Sequence, residues 1–265
     1  MNIYKYEFRK YLKSTTIWTF SIIALLFFYL ALFPSFASEA EQFEKVIQQF
    51  PETFRKAFGL NQMSFSTIGG FYNFTFSYIV LIAGIFAMKL GVDIMSKEVR
   101  EKTADFLLVK PVNRGSIMLP KFLASLTHII LMNVVYVIFA IIAVELFKNN
   151  DYNKEVFYLV TFSMFLIQIF LLTLGLLLGT ISKKLKSVLP ISLGVVFGFY
   201  IIKLLNDTIE DTIISFLTPF EYFDSSYITE NISYSVSHLL FSIGLSIVFV
   251  VASYIIYEKR DVPSV

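Results

Sequence analysis

Residues able to do catalytic chemistry are scarce and scattered in this chain. Two histidines, His128 and His238, fall in separate apolar segments, and neither neighbours a carboxylate at ligand spacing, so no zinc site is expected. Cysteine is absent, which excludes disulfides, thiolate catalysis and cysteine metal sites. There is no Walker-type phosphate loop, no G-x-S-x-G elbow and no H-E-x-x-H pair. Asp93 and Glu98 lie within reach of Lys89 or Lys97 and read as local salt bridges. A membrane-embedded enzyme would have to draw on Asp93, Glu98 and His128, the weakest reading available. The expectation is a chain with no catalytic residues and no metal or cofactor of its own.

The elements that must position these residues are membrane helices. Of 265 residues, 56% are hydrophobic and 16% charged, with 30 Phe and 15 Tyr. Soluble domains carry about 25% charge, so this composition argues against a soluble enzyme, a nucleic-acid module or a disordered chain. Six apolar runs are drawn at 16–33, 71–88, 122–147, 156–181, 188–205 and 236–257. Each reaches the roughly 20 residues that cross a hydrocarbon core about 30 Å thick. Backbone groups in lipid must satisfy one another, and continuous apolar runs do so as helices, not barrel strands. The fold class is therefore an all-α polytopic membrane protein in one domain. The first run lacks a convincing small-x-small cleavage pair and reads as a retained helix.

Charge orders the loops. With both termini and the loops 89–121 and 182–187 on one side, that side carries +9 and the opposite side −7, out of a total of +2. The positive-inside rule puts the +9 side and both termini in the cytoplasm, leaving 34–70 and 206–235 as extracellular segments.

Residues 1–15 read as an interfacial helix, in which Tyr4 and Phe8 anchor one face while Arg9 and Lys13 reach headgroups. In 38–60, Phe43, Val46, Ile47, Phe50, Phe54 and Phe58 form an apolar stripe that Pro51 should split. The acidic loop 206–235 holds Asp207, Glu210, Asp211, Glu221, Asp224 and Glu230 without Lys or Arg. Within the membrane, Asn73, Asn133 and Gln168 are candidates for interhelical hydrogen bonds, and Gly175 and Gly179 for a close helix–helix contact. No acid sits clearly in mid-span, which weakens an ion-coupled carrier.

The loop 89–121 is patterned. Ser96 can cap a helix with Glu98 and Glu101 in its first turns, followed by Phe106, Leu107 and Leu108, and Lys110-Pro111 ends it. A short charged helix with an apolar patch is what a docking surface for a soluble partner needs.

The run Glu98-Val-Arg-Glu101-Lys-Thr103, then Leu107-Leu108, Lys110-Pro111-Val112-Asn-Arg114 and Lys121 resembles the first cytoplasmic loop of ABC-2 type transporter permeases. Leu217-Thr-Pro219-Phe220-Glu-Tyr-Phe223 and the closing Tyr257-Glu-Lys259-Arg260-Asp261 fit the same family, so the likeness spans the chain. Lys102 stands where the family often has glycine.

The resemblance implies a permease subunit of an ATP-binding cassette exporter in a bacterial cytoplasmic membrane. It implies two copies of a separate ABC ATPase holding ATP and Mg, and a second permease chain, identical or homologous. Glu98, Glu101, Thr103, Leu107, Pro111 and Arg114 then form the coupling region to the ATPase. The expected cargo is hydrophobic or amphipathic: a peptide, an antibiotic or a lipid-like molecule. The partners are otherwise membrane lipid, with no nucleic acid. The alternative is a non-transporting sensor or immunity protein that binds a peptide or antibiotic through its aromatic outer segments.

Overall fold

The computed structural model describes residues 3–57, 60, 64–101, 115–182 and 185–259, and its regular elements there are all α-helices. Six are long and apolar enough to cross a membrane. These are α1 (Ile3–Ser38), α4 (Ile68–Arg100), α5 (Gly115–Phe147), α6 (Lys154–Ile181), α7 (Leu189–Ile209) and α11 (Val236–Lys259). Short helices α2 (Ala40–Gln48) and α3 (Glu52–Ala57) follow α1, and α8 (Thr212–Ser215), α9 (Pro219–Tyr222) and α10 (Ser225–Asn231) lie between α7 and α11.

The helices run past the boundaries that hydropathy predicts. α1 has 36 residues, about 54 Å at about 1.5 Å per residue. The lead is therefore not a separate interfacial helix but the first turns of α1. Its amphipathic spacing continues without a glycine or proline until Pro34, and its inward residues Glu7 and Tyr11 are buried. α4 likewise runs to Arg100, and Ser96 does not cap a new helix. Ser96 sits mid-helix, where its Oγ donates to the Val92 carbonyl at 2.7 Å. The reason is that Leu90, Val92, Ile94 and Met95 continue the buried face of the span beyond Met88. The predicted loop 89–121 thus shortens to the stretch between Arg100 and Gly115.

α4 is the hub. In its most apolar stretch 83% of residues are buried, against 17% in α7 and in α11, which stand at the periphery. It packs most extensively on α6, and also touches α1, α5 and α7. The α4–α6 contact is close because three glycines face each other there. A Cβ on Gly175 would lie 2.6 Å from the Met88 carbonyl oxygen, and one on Gly179 2.6 Å from that of Val92. Gly91 lies against Leu172 in the same seam. Gly175 and Gly179 therefore form a helix–helix contact within the chain, where small residues let backbones meet.

Polar pairs cross the centre. Asn133 Nδ2 donates to Gln168 Oε1 at 2.6 Å, and Gln168 Nε2 donates to the Ala83 carbonyl at 3.0 Å, joining α5, α6 and α4. Tyr72 OH lies 2.8 Å from Thr161 Oγ1 and 3.3 Å from Tyr136 OH. Buried amides and hydroxyls satisfied this way fix the register of the three helices.

The start of α1, the end of α4 and the start of α5 share one end of the bundle, called here the near end. At the far end, the rings of Phe36, Phe43, Phe65 and Phe71 cluster with centroids 4.7–5.7 Å apart. Pro51 separates α2 from α3 as expected. The apolar stripe divides: Phe43 and Ile47 pack on the core, while Val46, Phe50 and Phe54 stay exposed. Phe58 lies outside the described residues.

Candidate functional site

Charge concentrates where α4 ends, at the near end. Lys97 of α4 donates to Glu7 of α1, with 4% and 2% of their side chains exposed. Lys121 of α5 is 1% exposed and lies 2.5 Å from Glu98, and its Nζ also donates to the Ile94 carbonyl at 2.8 Å. Arg100 pairs with Asp93 at 2.5 Å, and Lys10 with Glu101 at 3.0 Å. Lys97 Nζ also stands 5.1 Å from the Tyr6 ring centroid. Three helices are thus tied by ions at the root of the segment that leaves α4.

Burying these charges is costly unless each is matched. Removing one partner of a buried pair typically destabilises by about 3–5 kcal/mol, because the other is left without water or counter-ion. The network ties α1, α4 and α5 to one another through matched charges. Chemically it holds and orients: among the described residues each carboxylate of the knot is paired with a base.

The residues singled out from sequence divide between this knot and its surroundings. Glu98 and Glu101 belong to it, both engaged with bases of their own chain. Thr103, Leu107, Pro111 and Arg114 lie outside the described residues. Tyr4 OH bonds Thr127 Oγ1 at 3.0 Å, and Phe8 stacks on His128 at 4.9 Å, so both face α5. Arg9 and Lys13 are exposed. His128 has both ring nitrogens occupied, by Thr15 Oγ1 at 2.8 Å and the Phe8 carbonyl at 3.1 Å. Asp93 and Glu98 are each ion-paired, so the three residues of the enzyme reading are all engaged in structure.

A second charged cluster, at the far end, gathers three acids of the 206–235 loop around a lysine from within an apolar span. Lys203 of α7 meets Asp207 at 2.8 Å, Asp224 at 3.2 Å and Glu221 at 3.9 Å. Oxygens of the three carboxylates lie within 4.8 Å of one another around that ammonium. Glu221 Oε1 is buried without a hydrogen-bond partner. Burial pushes the Glu221 carboxyl up to about 8, with Lys203 opposing and Asp224 and Asp207 adding to the rise. Burial would raise Asp224 as well, but Lys203 and the amides of Tyr227 and Ser226 hold it below its ordinary value. Asp224 also caps α10, accepting from Ser226 N at 2.9 Å and Tyr227 N at 3.1 Å. The i,i+4 spacing of Lys203 and Asp207 was the available signal, hidden because Lys203 sits inside an apolar run.

An open apolar groove of 340 Å³ runs between α6 and α11, lined by Leu166, Ile169, Leu239, Ile243 and Val250 and floored by Phe223.

The family model described as ABC-2 family transporter protein matches residues 1–262. No curated protein matches the chain.

Proposed function

The chain belongs to the ABC-2 family of transporter proteins, and from that premise we propose that it is the permease subunit of an ATP-driven exporter. Its place as a multi-pass membrane transport component follows from the family and the six apolar helices. The finer reading adds a separate ABC ATPase, in two copies with their own ATP and Mg, docked on residues 98–114 in the cytoplasm of a bacterium. The observation that carries it is the buried ionic knot at the end of α4. A segment that receives force from a soluble motor needs a root that does not yield, and Glu7–Lys97 and Glu98–Lys121 supply one on two neighbouring helices. On this reading Glu98 braces the root, while Glu101 and the residues through Arg114 face the motor.

A second permease chain, identical or homologous, fits the peripheral helices. α7 and α11 are mostly exposed along their apolar lengths, and a Cβ on Gly194 or Gly198 of α7 would meet nothing within 4 Å. The apolar groove beside α11 supports a hydrophobic or amphipathic cargo.

A photo-crosslinking amino acid placed at Leu107 in growing cells is expected to capture an ABC ATPase. Capture of lipid or of the chain itself, with no ATPase, overturns the docking assignment.

A further inference from the structure

A cavity of 530 Å³ opens at the far end, between the first turns of α4, the turn joining α5 to α6, and α10. Its wall differs in kind from the rest of the bundle. Hydroxyl and amide side chains, among them Thr67, Asn73, Asn150, Asn153 and Thr229, share it with apolar Ile68, Val144, Val156 and Phe157, and among the described lining residues the charged ones are Asp151 and Glu230, both acidic and both exposed. Lys148, outside the lining, pairs with Glu145 at 2.7 Å and also lies close enough to attract Asp151, which leaves Glu230 as the acid without a lysine acting on it among the interactions described.

The wall is also braced. Asn73 Nδ2 of α4 donates to Thr229 Oγ1 of α10 at 3.0 Å across it. Asn149 Nδ2 donates to the Ser66 carbonyl at 3.2 Å, fixing the turn to the approach of α4. Gly69 contributes open backbone: a Cβ there would meet nothing within 4 Å.

We infer that this cavity is a binding site for a small polar molecule bearing at least one ammonium or guanidinium group. Two carboxylates without a competing base in the lining select for positive charge. The hydroxyls and amides supply hydrogen-bonding partners beside the apolar part of the wall. The volume lies within the range of about 300–1,000 Å³ typical of small-molecule sites. The inference concerns binding alone and does not depend on the exporter reading. If both hold, the cavity sits on the side where cargo leaves.

The test is isothermal titration of the full chain in lipid nanodiscs, without ATPase or nucleotide, using the tripeptide amide Lys-Ser-Lys and its acidic counterpart Glu-Ser-Glu. Saturable binding of Lys-Ser-Lys is expected, with none for Glu-Ser-Glu. D151N/E230Q removes the charge at two exposed positions, and G69F fills the cavity from its open wall. Each is expected to weaken binding at least tenfold. No saturable binding of Lys-Ser-Lys, equal binding of the two peptides, or unchanged affinity in both variants overturns the inference. Because no motor takes part, failure here leaves the crosslinking result at Leu107 standing, and the converse also holds.

Discussion

Glu221 carries a proton at a pH where other carboxylates have lost theirs, because it is buried beside Asp224 and Asp207 and its Oε1 has no donor. An acid whose folded pKa lies above its unfolded one contributes its stability with the proton on. That contribution is complete below the ordinary carboxylate range and is lost as pH rises toward about 8. E221Q keeps the shape and discards the charge. Its melting temperature is expected to match the parent near pH 5 and to exceed it above pH 8, where the parent holds an extra buried anion. Equal pH dependence of the two proteins sinks this account. The charges facing the group from its neighbours are Lys203 and Asp207 of α7 and Asp224 at the start of α10, so Lys203 must stay intact in the comparison.

At the scale of elements, the two glycine pairs make opposite predictions. Gly175 and Gly179 let α6 lie against the backbone of α4, so G175L must push the helices apart. Overpacking of this kind costs typically about 1–3 kcal/mol, read as a lower melting temperature in detergent. Gly194 faces open space, and G194L is expected to leave the melting temperature of the single chain unchanged. If it lowers stability as much as G175L does, the exposed face assigned to α7 is wrong.

The helices themselves were legible from hydropathy, because nothing but an apolar run fits a bilayer. Their ends were not. Lys5, Arg9, Lys10 and Lys13 make the lead look like a separate surface element, yet Glu7 among them is matched by Lys97, 90 residues on. A pairing that distant leaves no local trace, and the same holds for Lys121 reaching back to Glu98. Gly175, Gly179, Asn133 and Gln168 were readable because one residue type at one spacing has few uses inside a membrane. Lys203 is hidden in the sequence because a single lysine barely lowers the hydropathy of its run.

For the whole molecule, the division of charge predicts which end faces the cytoplasm, and the chain is well suited to testing it because it contains no cysteine. Single cysteines at Lys5 and Lys259, at the near end, are expected to resist a membrane-impermeant maleimide in intact cells and to react after lysis. Cysteines at Glu41 and Asn150, at the far end, are expected to react in intact cells. The reverse pattern inverts the topology and moves the ionic knot to the wrong side for any motor.

α1 carries a mechanical consequence. Its foot is pinned by Glu7 to α4 and by Tyr4 to α5, while Phe33 and Phe36 near its tip sit among the rings of Phe65 and Phe71. Pro34, the proline inside it, lies beyond most of its length. Between its foot and Phe33 the rod has no proline or glycine at which to bend, and it packs along α5. On the topology proposed above, α1 thus joins the cytoplasmic ionic knot to the aromatic cluster at the opposite face and to α2 resting on it. One unbroken helix therefore puts the two ends of the bundle in direct mechanical contact.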